Sequence, residues 1–123
     1  MIMITQEMIR MTECISMDFE EQVDSENIKE WFSSRGYTYD ADNGIMTSPE
    51  GSFYLSIYSK VGSVFFREWQ GEFPDVVLDF VINHPSKVVS LLTVDDKGYP
   101  DLDTANDFSH QEFIDLLMEG DDE

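Results

Sequence analysis

The sequence predicts an α+β fold: an antiparallel sheet of about five strands with helices packed on it, in the order α-α-β-β-β-α-β-β-α. Three observations lead there. Apolar residues recur at spacings of three and four toward both ends of the chain and alternate in its middle. Short turn signals rich in Gly, Asp and Pro separate the alternating runs. An apolar content of 41%, with 13% aromatic residues over 123 positions, is enough for one buried core. One domain over residues 1–123 is therefore expected: an N-terminal amphipathic helix within 1–24, a core over 25–119 and an acidic tail at 120–123.

Residues 5 to about 21 read as the first helix. Thr5 caps it, and Met8, Met11, Ile15 and Phe19 line one face, a Met-rich stripe able to adapt to irregular partners. The second helix runs from Asp24 or Ser25 to Arg35. Ile28, Trp31 and Phe32 form its buried side, and Gly36 stands where the chain leaves the helix left-handed.

Beyond Gly36 the period becomes two. Tyr37-Thr38-Tyr39 leads into a turn at 40–44, Ile45-Met46-Thr47 returns, and 49–51 turns again. Ser52 to Lys60 alternates with Phe53, Leu55 and Ile57 on one side and Tyr54, Ser56 and Tyr58 on the other. Gly62 breaks this run, and Ser63 to Trp69 makes a further strand, which together suggest a three-stranded meander.

Pro74 and Asp75 open a helix over Val76 to Asn83, apolar nearly all round, which Pro85 closes. Lys87 to Val94 reads as a buried strand, 95–98 as a turn and Tyr99 to Asp103 as a short partner strand. In the last helix Ser109 and Glu112 match a capping box, with Phe108 placed to pack on Phe113.

Charge sets the class of partner. The chain carries 26 Asp+Glu against 7 Lys+Arg, a net of −19, where a small domain is soluble with a magnitude of about 2–8. Such a field disfavours direct contact with nucleic acid, anionic membrane or acidic substrates and favours a protein with a basic surface. The excess is uneven: residues 25–70 hold six acids and four bases, whereas 108–123 hold six acids and no base. No run approaches the roughly 18 apolar residues of a membrane span. The N-terminus lacks a basic leader, and a lone Cys14 fits a reducing cytoplasm.

Several short segments carry a resemblance. Ile28 to Asp40, with Arg35-Gly36-Tyr37 after a helix, Glu72-Phe73-Pro74 before the middle helix, and Val94 to Gly98 followed by Asp101-Leu102-Asp103 resemble YbjN-like domains over roughly residues 25–119. The resemblance implies the fold of the small acidic type III secretion chaperones, which act as dimers that hold an effector segment and catalyse nothing. The Met-rich first helix, the few leucines and the larger charge excess depart from that pattern.

Enzymatic and metal chemistry finds little footing. Asp40-Ala41-Asp42-Asn43-Gly44 has the oxygen ligands of a calcium loop, but its Gly is fifth rather than sixth and position twelve is Gly51, so it reads as a hairpin turn. Asp101, Asp103 and Asp107 cluster without a glycine-shaped loop, leaving only weak cation binding. Cys14 with His84 or His110 makes an unpromising nucleophile and base, and one Cys with two His cannot complete a structural zinc site. Glu68 between Arg67 and Trp69 reads as an edge-strand ion pair, and Arg67 beside Phe66 and Trp69 is the one basic-aromatic cluster.

Neither catalytic residues nor a cofactor is expected. The first functional reading is a non-enzymatic, protein-binding module of chaperone or adaptor type, dimeric, gripping a partner segment through exposed Tyr54, Tyr58 and Tyr99. The alternative is a phage-type nucleic-acid mimic that inhibits a DNA- or RNA-binding enzyme such as a restriction or CRISPR effector. Its surface would be built from Asp18, Glu20, Glu21 and Asp24; from Asp95, Asp96, Asp101, Asp103 and Asp107; and from Glu112, Asp115, Glu119, Asp121, Asp122 and Glu123.

Overall fold

The computed structural model describes residues 12–69 and 73–119. They form one antiparallel sheet of seven strands and three helices. In chain order these are β1 (Cys14–Asp18), α1 (Ser25–Ser33), β2 (Thr38–Asp40), β3 (Ile45–Ser48), β4 (Gly51–Tyr58), β5 (Ser63–Glu68), α2 (Asp75–Asn83), β6 (Val88–Val94), β7 (Pro100–Ser109) and α3 (His110–Glu119). Across the sheet the strands run β2-β3-β4-β5-β1-β6-β7.

The first strand corrects the expected N-terminal helix. Cys14–Asp18 is extended and sits between β5 and β6, with Cys14 opposite both Arg67 and Leu92 and Asp18 opposite both Ser63 and Val88. Met8 and Met11, like the Thr5 cap, fall outside the described residues. Ile15 and Phe19 fit a helical spacing, but Ile15, Met17 and Phe19 also fit a spacing of two. Hydrogen-bonded neighbours on both sides decide between the two patterns, as tertiary context does for short apolar segments.

Two further differences follow. The meander has four strands rather than three, because Thr38–Asp40 pairs with Ile45–Thr47 as a strand of its own. The last strand is ten residues long, not a short piece at 99–103. Its register against β6 slips between Leu91 and Thr93, an irregularity that takes up residues 102–105. The observed order is thus β-α-β-β-β-β-α-β-β-α.

The helices form as their sequences direct. Asp24, not Ser25, caps α1, its carboxylate accepting from the Glu26 and Asn27 backbone N–H groups. Pro74 is the N-cap of α2 rather than its first residue. The capping box of α3 is reciprocal: the Glu112 N–H donates to Ser109 Oγ at 3.1 Å and the Ser109 N–H to Glu112 Oε1 at 2.8 Å. The rings of Phe108 and Phe113 lie 6.5 Å apart across that cap.

All three helices bury their apolar sides in one core with one face of the sheet: Met46, Phe53, Leu55, Val64, Phe66, Ile15, Met17, Val89 and Leu91. An aromatic column joins the layers, with Phe32 of α1 stacked on Phe80 of α2 at 5.1 Å and both rings set against Phe66. His84 lies flat on Phe80 at 3.9 Å, and one ring nitrogen meets Phe80 O at 2.9 Å. His110 reaches Val81 O, tying α3 to α2.

The β4–β5 turn is pinned against the segment after β1. Gly62 is buried at φ 72, bonds through its carbonyl to the Phe19 N–H, and has no room for a Cβ because the Glu21 backbone crosses it. Gly62→Ala should therefore cost roughly 2–4 kcal/mol, from left-handed strain together with the clash. Exposed Val61→Ala should stay within about 0.5 kcal/mol. Urea denaturation of both variants checks the contrast.

Candidate functional site

Strand pairing fixes what lies on the opposite face of the sheet. Three rows cross it: Ile45, Tyr54, Arg67, Cys14 and Leu92; then Ser56, Phe65, Ser16, Ser90 and Asp107; then Tyr58, Ser63, Asp18, Val88 and Ser109. Among the described residues no helix packs on this side. The middle row is mostly serine, so its floor is low, while aromatic rings stand along the β4–β5 side.

Those rings form two pairs. Tyr54 and Trp69 have centroids 5.3 Å apart, and Tyr58 meets Phe65 edge-on at 5.6 Å. Tyr58 is 55% exposed and Trp69 36%. Arg67 lies between them, its guanidinium 3.9 Å above the Tyr54 ring. One of its N–H groups donates to Gly98 O at 2.5 Å. Gly98 has φ 85, and a Cβ there would press on the same guanidinium, so this turn residue also permits the close approach.

The β6–β7 turn is held by Asp95, whose carboxylate accepts from the Lys97 and Tyr99 N–H groups. It brings Tyr99, Pro100 and Leu102 over the open face. The result is a cleft of about 480 Å³ between the β4–β5 aromatics and this turn, with Asn43 at one side and Cys14 at its floor.

The nominated residues separate by position. Tyr54, Tyr58 and Tyr99 converge on the cleft. Asp18, Glu20, Glu21 and Asp24 lie at one end of the sheet. Asp18 is opposite Val88, which is opposite Ser109, so Glu112 begins α3 at that same end. Asp107, opposite Ser90, is nearby, its carboxylate accepting from Ser90 Oγ at 2.6 Å. Asp95 and Asp96 lie past the other end of β6, about 20 Å away for a strand of this length. Asp101 and Asp103 belong to that end too. Asp115 is on α3, held by Gln111, and Glu119 closes that helix. Asp121, Asp122 and Glu123 lie outside the described residues.

Many of these acids have local work. Asp18 accepts from the Glu20 N–H, Asp101 from the Asp103 N–H, and Glu20 pairs with Lys87 at 2.9 Å, raising the lysine's pKa. Asp40, in the loop read as a hairpin, is held below the usual carboxylate range by the Asn43 side chain and by the Asp42 and Asn43 N–H groups. Among the described residues no group of three or more His, Cys, Asp or Glu could hold a metal ion, and no helix is long and apolar enough to cross a membrane.

Cys14 faces the cleft side, whereas both histidines bond to carbonyls of α2 on the helical side. The sheet thus separates the thiol from either base. Sequence reasoning passed over Phe65, Asn43, Pro100 and Leu102 as cleft residues. For Phe65 the signal existed, since Phe65 and Arg67 of β5 and Trp69 just after it follow a spacing of two. Comparison with protein-family models, curated proteins and solved structures finds no match to this chain.

Burial pushes the Cys14 thiol up to about 12, with nearby Arg67 acting the other way. A thiol raised in the folded state contributes stability fully present below its unfolded value near 9 and lost as pH rises toward 12. Urea midpoints of the wild type should therefore fall more steeply over that window than those of Cys14→Val. The native thiol should also react with Ellman's reagent only as fast as the protein opens.

Proposed function

We propose that this chain is a non-enzymatic, acidic protein-binding module that holds or masks a partner, chaperone- or adaptor-like, with the open sheet face as its grip. The observation that carries the reading is the convergence of Tyr54, Tyr58 and Tyr99 on one cleft of a face on which, among the described residues, no helix packs. Exposed aromatic rings supply contact area at low entropic cost, and Tyr58, Tyr99 and Leu102 are each more than half exposed. Acids at both ends of that face favour a partner with basic residues flanking its apolar segment. The resemblance to YbjN-like domains and secretion chaperones supports the same role, in the cytoplasm and as a homodimer.

The test is affinity capture from a host lysate at low and moderate salt, with the double variant Tyr58→Ser, Tyr99→Ser alongside. An amphipathic client that survives salt and is lost from the variant is the expected result. A nucleic-acid enzyme released by salt or by duplex DNA overturns this reading for the mimic. Empty captures at both salts count against both.

A further inference from the structure

The cleft has a property that partner gripping does not require. The chain has 26 acids, yet among the described residues the lining contains no carboxylate and a single charge, Arg67. The volume, about 480 Å³, lies in the range of roughly 300–1,000 Å³ typical of small-molecule sites. The walls are aromatic: Tyr54, Tyr58, Phe65 and Tyr99. We propose that this cleft binds one small aromatic anion, a carboxylate or sulfonate on one or two fused rings, with the ring against the tyrosines and the charge on Arg67.

The guanidinium is held ready for that contact. Tyr54 covers one of its faces at 3.9 Å and Gly98 O fixes one edge at 2.5 Å, so little side-chain freedom is lost on binding. A guanidinium presents five donors in one plane, which suits two oxygens of an oxyanion. Shielding by Tyr54 removes water from one side and strengthens the hydrogen bonds that form.

Charge also selects the ligand. A cation would meet Arg67 with no carboxylate among the described lining residues to offset it. A bare inorganic anion would meet the repulsion of a net charge of −19, which a single arginine does not offset. An aromatic anion adds ring contacts that this field does not touch. The inference stands apart from the partner-binding reading, because it needs only the cleft and Arg67.

Titration with anilinonaphthalene sulfonate, and with uncharged N-phenylnaphthylamine as its neutral counterpart, tests it. One sulfonate probe per chain is expected. Arg67→Met should weaken it about tenfold, the loss of a charge-assisted hydrogen bond, and leave the neutral probe unchanged. Leu102→Glu, at a side chain 71% exposed, places a carboxylate at the mouth without disturbing the core. It should also weaken the sulfonate selectively, and it serves if Arg67→Met fails to fold. Equal losses for both probes, several weak sites, or sulfonate binding indifferent to the folded variants would overturn the proposal.

Discussion

The double ladder of β1 is the constraint on which the rest of the molecule depends. The four-stranded meander and the β6–β7 hairpin share no strand pairing of their own; Cys14–Asp18 joins them by pairing with β5 on one side and β6 on the other. Without it the sheet becomes two smaller ones, each too narrow to shield the helices. Its side chains serve both layers. Ile15 and Met17 enter the core under the helices, while Cys14 and Ser16 lie in the floor of the open face. Glu13, just before the strand, completes the junction: its backbone O accepts from the Glu68 N–H, and its carboxylate from the Val94 N–H at 2.7 Å.

A chain this acidic must keep its carboxylates from opposing the compact state. Much of the excess is turned to structural use here. Asp24 and Glu112 satisfy helix N-termini, where the dipole favours negative charge. Asp18, Asp40, Asp95 and Asp101 accept from backbone N–H groups in turns. Asp18, Glu20, Glu21 and Asp24 stand at one end of the sheet and Asp95, Asp96, Asp101 and Asp103 at the other, and among the described residues the aromatic cleft between them is lined by no acid.

Local patterns were legible in the sequence; pairings were not. α1, α2 and α3 could be read because each has a cap or breaker beside an apolar stripe, and β4 because Phe53, Leu55 and Ile57 alternate against Tyr54, Ser56 and Tyr58. β1 could not. Met8, Met11, Ile15 and Phe19 satisfy the helical period, and only partners far along the chain select the extended alternative. β2 is three residues long and has meaning only beside β3. The long β7 was hidden because polar 101–107 resembles a loop until β6 supplies its ladder. The site divides the same way: Tyr54 and Tyr58 follow from alternation, whereas bringing Tyr99 and Leu102 to them requires the β6–β7 turn and its Asp95 clasp.

The placement of β1 also bears on how the protein is made. The strand leaves the ribosome before either of its neighbours, yet its second partner, β6, begins only at Val88. Ile15 and Met17 wait unpaired until Ser63–Glu68 is made, and one edge of the strand stays open until Val88–Val94 follows. Closing the sheet means threading the earliest strand between two later ones. That step combines the largest loop closures in the chain, and it should set the pace of folding.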